Sequence, residues 1–235
     1  MNINANPIEL KKFNDLSDEW WNPHGKLRTL HDINPLRLQF ITDQIDLTDK
    51  EILDVGCGGG ILTEALSQKG AIMSGIDAGD ETISIAKHHA QENNLNIQYH
   101  LSTIEEFAKN HPHQKYDAIV CMELLEHVDD PKSVFDACIS LLKPEGWFFL
   151  STINRTPKAF TQAIVGAEYL LKLLPKGTHH YSKFLKPSEL TQWAREKNLV
   201  IKELQGMTYH PLAEQYSLTQ DPSVNYLISF QKESS

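Results

Sequence analysis

The sequence predicts an α/β fold, a largely parallel sheet covered by helices on both faces, and three observations carry that expectation. Between residues 51 and 153 short apolar runs alternate with helix-length segments, the pattern of βαβ units rather than of hairpins. The first run ends in a glycine-rich turn that opens a helix, Asp54-Val55-Gly56-Cys57-Gly58-Gly59-Gly60. Beyond Leu199 the alternation stops, and two apolar runs follow with no helix between them, which is most simply an antiparallel pair at one edge.

In order, Glu51 to Val55 reads as the first strand and Ile61 to Lys69 as a helix closed by Gly70. Ala71 to Ile76 is a second strand, Glu81 to Asn93 a helix, and Ile97 to Leu101 a third strand ahead of a short helix near Glu105 and Phe107. Tyr116 to Cys121 is the fourth strand, Ser133 to Leu142 a helix closed by Pro144-Glu145-Gly146, and Trp147 to Ile153 the fifth strand. A helix over Pro187 to Lys197 leads into Leu199 to Met207, then a loop with Pro211 and Pro222, then Val224 to Phe230. Two regions stand outside this rhythm. Residues 1–45 read as a helical cap, with Asn34-Pro35 as N-cap and first helical residue. Residues 156–180 form an insertion too long for an ordinary connection.

The totals suit one domain over residues 1–235, long enough to bury a core without staples. A net charge of -9 argues against a nucleic-acid partner. Cys57, Cys121 and Cys138 are odd in number and lack paired spacing, as expected of reduced thiols in a cytoplasmic compartment. No apolar run reaches bilayer length, and the start lacks a signal-peptide pattern.

A strand that ends in a glycine turn and opens a helix is a nucleotide-binding layout. Here the spacing is Gly56-x-Gly58-x-Gly60, with Ile61 where a dinucleotide fingerprint wants its third glycine. Asp54 at the strand end would repel a pyrophosphate, which disfavours a dinucleotide oxidoreductase, but suits a ligand bearing an ammonium and a sulfonium. Asp77, about twenty residues on, ends the second strand where an acid accepts ribose hydroxyls, with Ala78 beside it. The combination points to S-adenosylmethionine.

Glu123, Glu126 and His127 follow the fourth strand at once. If Glu123 begins a helix, the three share a face. Two carboxylates and an imidazole suit a divalent ion with positions left for substrate; the other reading is an acidic helix start that complements the macrodipole. A phenol has a pKa of about 10, so a cation that stabilises the phenolate, or a base such as His127 or His179, has work to do. Within the insertion, Lys158 to Pro175 is apolar nearly all round. Such a helix needs a protein or lipid neighbour: it is a lid on the core, or a lid that also meets anionic headgroups through Lys158, Lys172 and Lys176. Phe13, Trp20 and Trp21 either close the other side of the pocket or pack as core.

Together the Asp54–Gly60 loop, Asn34-Pro35-Leu36-Arg37, Cys121-Met122-Glu123-Leu124-Leu125-Glu126-His127-Val128 and Pro175-Lys176-Gly177-Thr178-His179 resemble the UbiG family, class I methyltransferases of ubiquinone biosynthesis. The resemblance runs from about Lys12 to Phe230. It implies a Rossmann-like sheet of seven strands with the last antiparallel, and S-adenosyl-L-methionine as cofactor. It also implies O-methylation of a polyprenylated catechol or demethylubiquinol by direct displacement. It carries cofactor contacts to Arg37, Gly56, Asp77 and Met122, beside Asp54 and Gly58 from the glycine loop and Ala78 next to Asp77. It favours a metal at Glu123, Glu126 and His127, magnesium before zinc or manganese, with Glu123, His127 and His179 as the catalytic candidates. The partners it implies are the polyprenyl phenol or quinol, a membrane surface met through residues 158–176 of a cytoplasmic protein peripheral to the inner membrane, and a complex of pathway enzymes. Two other readings remain: methylation of another small phenolic acceptor, and a non-catalytic subunit that binds cofactor and lipid. Intact acids in both the Asp54 loop and the Glu123 cluster speak against the second.

Overall fold

A computed structural model describes residues 4, 6–161 and 180–234. The chain begins with α1 (Pro7–Asn14), whose N-terminus is capped by the Asn6 side chain accepting from the Ile8 N–H at 3.0 Å. A 3-10 turn at Ser17–Glu19 follows, then α2 (Arg28–Thr42). The expected helix start at Asn34-Pro35 is not found. α2 begins at Arg28 and runs through Pro35, and Asn34 donates from its side-chain amide to the Ile61 carbonyl on a neighbouring element instead of capping its own.

The alternating core then appears in the expected order: β1 (Glu51–Val55), α3 (Ile61–Gln68), β2 (Ile72–Asp77), α4 (Asp80–Glu92), β3 (Gln98–Leu101), α5 (Ile104–Asn110), β4 (Tyr116–Met122), α6 (Pro131–Ser140) and β5 (Leu142–Ile153). β5 starts earlier than expected: Leu142 to Gly146, read as a helix end and its break, belong to the strand, with a register shift against β4 between Leu142 and Trp147. A short turn, α7 (Pro157–Ala159), precedes residues 162–179, and α8 (Pro187–Glu196), β6 (Leu199–His210), β7 (Gln215–Thr219) and β8 (Asn225–Lys232) complete the chain. Most of the expected insertion, and with it nearly all of the lid or membrane segment 158–176 and His179, lies outside the described residues.

The sheet has eight strands in the order β3-β2-β1-β4-β5-β8-β6-β7, not seven. β1 to β5 pair in parallel, and β8 runs antiparallel between β5 and β6. The additional strand is β7, which pairs antiparallel with the far half of β6 from Gly206–Thr219 to His210–Gln215. Its two flanking prolines, Pro211 and Pro222, sit in the turns on either side rather than breaking the strand.

Successive residues along each strand point to opposite faces, and both faces are covered. Leu53, Ile119, Phe148 and Leu150 pack under α5, α6 and α8 with Phe107, Phe135 and Leu190. Ile52, Ala118, Val120 and Phe149 pack under α2 and α3 with Phe40, Ile41, Leu62 and Leu66. This two-sided burial forces the near-continuous apolar runs of β1 and β4. Cys57, Cys121 and Cys138 are free and buried. Among the described residues no helix is long and apolar enough to cross a membrane.

The strand order reverses between β1 and β4, so a crevice opens at their carboxyl ends, the place where open α/β sheets bind ligands. β6 reaches the same end, and there its backbone is tightly constrained: a Cβ at Gly206 would stand 1.8 Å from the Asp221 carbonyl oxygen. Gly206→Ala is therefore expected to destabilise the protein by about 1–3 kcal/mol, lowering the melting midpoint by roughly 2–12 °C for a chain of this size. Thermal unfolding followed by circular dichroism checks this; an unchanged midpoint would mean that the β6–β7 hairpin shifts freely.

Candidate active site

One end of the crevice is built by two loops held together by one carboxylate. Gly56, Gly58 and Gly60 take φ of 71°, 54° and 92°, backbone states open to glycine at little cost. The chain can therefore turn sharply from β1 into α3. Asp77 at the end of β2 accepts from the Gly58 N–H at 3.0 Å through Oδ2 and from the Gly79 N–H at 2.8 Å through Oδ1. Burial raises its pKa, opposed by these backbone donors. Each oxygen has a second lone pair, so this bridge is compatible with acceptance from ribose hydroxyls.

Asp54, at the base of the crevice, is buried and accepts from the Thr63 hydroxyl at 2.6 Å. Burial pushes its pKa up to about 6, against the Thr63 bond and the charge of Arg37. Arg37, carried by α2, is also buried. Its Nη2 stands 3.6 Å from Glu123 Oε1, too long for a hydrogen bond, and neither Nε nor Nη2 has a hydrogen-bond partner. Met122 ends β4 with its side chain in the α2–α3 core and its edge on the cavity.

Glu123, Glu126 and His127 all line that cavity, but they do not share a helical face. Residues 123–130 form turns, and Glu123 takes φ of +53°. A left-handed glutamate of this kind costs about 1–3 kcal/mol and is typical of functional sites. Its conformation is held by β5: the Glu123 N–H donates to the Ser151 carbonyl at 3.0 Å, and the Ser151 hydroxyl donates to Glu123 Oε1 at 2.7 Å. Glu126 accepts from the Thr152 hydroxyl at 2.8 Å through Oε2, while its buried Oε1 has no partner. Burial, then the neighbouring Glu123 charge, pushes the Glu126 carboxyl up to about 7. Burial opposes a charge on His127, but its bond to Glu9 and the charges of Glu126, Glu9 and Glu123 outweigh it and raise its pKa. The donor set suits a divalent ion in kind, and the buried Oε1 of Glu126 has no hydrogen-bond partner. It is not gathered as a ligand cage: among the described residues no group of three or more His, Cys, Asp or Glu side chains is drawn together closely enough to hold a metal.

The N-terminal segment supplies the roof, for which sequence spacing gave only a hint in the aromatics. Trp20 packs against the glycine loop, where a Cβ at Gly58 would stand 2.3 Å from its ring. Trp21 donates from Nε1 to the Gly59 carbonyl at 3.0 Å and stacks on His89 at 3.4 Å between ring centroids. Phe13 meets the His127 ring edge-on at 5.3 Å. Glu9 and the aromatic wall of Tyr209 and Tyr216 on the β6–β7 hairpin were not anticipated at all; no local motif marks residues that meet only through the fold. Glu9, Phe13, Trp20, Tyr209 and Tyr216 border one cavity of about 910 Å³ that runs from Asp77 and Ala78 through Asp54 and Arg37 to Glu123, Glu126 and His127. That is at the upper end of the range for small-molecule sites, about 300–1,000 Å³, and leaves space for two ligands side by side.

Comparison with known proteins agrees with this architecture. A methyltransferase domain family model matches residues 28–204. The ubiquinone biosynthesis O-methyltransferase of Saccharophagus degradans is 50% identical over 98% of this chain and 98% of its own length. That of Coxiella burnetii is 51% identical over 98% of this chain and 97% of its own. Among solved structures, magnesium protoporphyrin IX methyltransferase from Synechocystis with bound SAH superposes with a TM-score of 0.71 at 18% identity, covering 96% of this chain and 99% of that one. A possible histamine N-methyltransferase from Thermotoga maritima does so at 0.65 and 18% identity, covering 96% and 100%. These distant structures speak for the fold, and the near relatives speak for more: the chain belongs to the ubiquinone biosynthesis O-methyltransferases, S-adenosylmethionine-dependent enzymes of the class I methyltransferase fold.

Proposed function

We propose that the protein transfers the methyl group of S-adenosylmethionine to a phenolic oxygen of a polyprenylated catechol or demethylubiquinol. One observation carries this reading: the cofactor end at Asp54 and Asp77 and the acid–imidazole end at Glu123, Glu126 and His127 open into the same cavity. A nucleophile held at the second end would stand before a methyl group held at the first.

In this reading Asp77 and Ala78 receive the ribose, Gly56 and Gly58 let the backbone approach the cofactor, and Met122 lies along it. Asp54 faces the cationic part of the ligand. Arg37, with two buried donors unsatisfied, takes the methionyl carboxylate in place of its long contact to Glu123. The acceptor oxygen then attacks the sulfonium methyl in line: the O–C bond forms as the C–S bond breaks, and the phenol proton leaves to a basic group of the site. Alignment supplies much of the rate, since effective molarities of well-oriented groups are large. Glu123, Glu126 and His127 orient the hydroxyls and hold the departing proton. A divalent ion bound by these three residues, once drawn together, would supply positive charge that stabilises the phenolate. The acceptor's polyprenyl tail would leave toward residues 158–176, and the membrane surface and pathway enzymes are the partners that such a substrate requires.

The substrate assignment is tested by turnover of a short-tail demethylubiquinol analogue with and without added Mg²⁺. Methylation of a ring hydroxyl is expected, and no methylation in either condition would overturn the assignment. Turnover is expected to fall when metal-stripped enzyme is assayed with chelator and to return with the ion. Full turnover in chelator would remove the metal and leave proton acceptance by the cluster.

Asp54 makes cofactor binding pH-dependent. Its carboxyl is held near pH 6 without ligand, and a bound sulfonium favours the ionised form, so binding lowers that pKa and expels a proton. Affinity is therefore expected to be level above pH 6 and to fall as pH drops below it, by up to about tenfold per unit. Calorimetric titration with S-adenosylmethionine across this range checks the slope. Asp54→Asn should bind more weakly at neutral pH and flatten the dependence; an undiminished slope in that variant would place the titrating group elsewhere.

A further inference from the structure

The helix that covers the acceptor end is short, polar and anchored at both ends. α1 has eight residues and fully buries none of them, so intrinsic helix stability does not explain its position. Phe13 packs in part against Trp20, Leu27 and Ile61, and polar ties fix the two ends. The Asn4 side chain accepts from the Asp129 and Asp130 N–H groups at 3.1 and 2.7 Å, beside the turn that carries His127. At the other end Asn14 donates to Asp80 at 2.9 Å and accepts from the Thr82 hydroxyl at 3.2 Å, on the helix that follows the Asp77 loop. Between these anchors a single acid is turned inward, where Glu9 Oε2 lies 3.2 Å from His127 Nδ1. Lys12 holds the other oxygen at 2.8 Å, and Phe13 supports the imidazole from its edge.

We propose that Glu9 is a positioning residue for methyl transfer, fixing the plane and tautomer of His127 so that the acceptor end of the site is complete only with α1 docked. An ionised carboxylate only accepts hydrogen bonds, so the Nδ1 of His127 must donate. In the neutral ring this puts the lone pair on Nε2, the state that either a metal ligand or a base requires. Glu9 stands 118 positions from its partner in the chain, and an orienting acid of this kind is as much part of such a site as the imidazole itself. The inference builds on the role proposed above for His127, and it holds for either form of that role.

The test compares full-length wild type, Glu9→Ala, Glu9→Gln and Lys11→Ala, with S-adenosylmethionine and the short-tail demethylubiquinol analogue. Glu9→Ala is expected to lower kcat by about 10- to 100-fold, with both KM values within about twofold, because the group touches neither substrate. Glu9→Gln should recover much of the loss, since its amide oxygen still accepts from Nδ1. Lys11→Ala, which removes an exposed pair with Asp15 on the outer face of the same helix, should match wild type. Wild-type kcat in Glu9→Ala would overturn the proposal, as would a loss matched by a rise in either KM, which would make α1 a cover and nothing more. A second measurement needs no variant and no turnover. Long-range ¹⁵N–¹H spectra of the wild type, recorded above the pH at which the ring loses its charge, should show His127 protonated at Nδ1. Protonation at Nε2 would overturn the role of Glu9 even if the analogue proved not to be a substrate, whereas failure of the analogue with Nδ1 protonated would count against the substrate alone.

Discussion

Asp77 holds the two halves of the crevice in register, and the arrangement of the site depends on that bridge. Its two oxygens tie the glycine loop after β1 to the turn before α4. The Ile76 carbonyl, one residue earlier, accepts from the Gly56 and Cys57 N–H groups at 2.9 and 3.0 Å. With the loop fixed to the end of β2, α3 starts in one direction only, which sets Thr63 against Asp54. Trp20 can then lie on Gly58 and Gly59, and the N-terminal cap acquires a surface to dock upon.

The charges inside the cavity follow one logic. Asp54 and Glu126 are both buried carboxyls with raised pKa values, and Glu123 and Asp77 add negative charge beside them. Arg37 is the buried cation among them, and its own guanidinium is penalised by burial. A site that keeps several acids out of water at such cost is organised for positive charge that arrives with its ligands. In the proposed reading a sulfonium would meet this at the Asp54 end, while at the other end the buried Oε1 of Glu126 has no hydrogen-bond partner.

Much of this was legible in the sequence because the signals are local. The strand–glycine–helix segment, the acids at Asp54 and Asp77, and the alternation through β5 all lie within windows where backbone geometry and burial period speak directly. Four features were not. Pro35 suggests a helix start, yet α2 runs through it, since packing of Ile33, Phe40 and Ile41 outweighs one missing N–H. β7 hides between two prolines that sit in its turns. The Glu123 segment has helical spacing but turns away from helix at Glu123, whose backbone is held by Ser151 from an adjacent strand, a partner that no local pattern reveals. Glu9 was illegible for the same reason in stronger form: its significance exists only once α1 is folded over the sheet.

The contact between Trp20 and the glycine loop ties two distant stretches of chain into one unit of variation. A methyl group at Gly58 would have to occupy space already filled by the indole, 2.3 Å away, and at Gly59 the separation is 2.8 Å. Neither glycine can therefore be exchanged for a larger residue while the tryptophan remains, and a smaller residue at position 20 would leave a void over the loop. In any lineage that keeps this cap, positions 20, 58 and 59 are bound to drift together or not at all, so the N-terminal segment inherits the constraint of the cofactor loop although it carries none of that loop's chemistry.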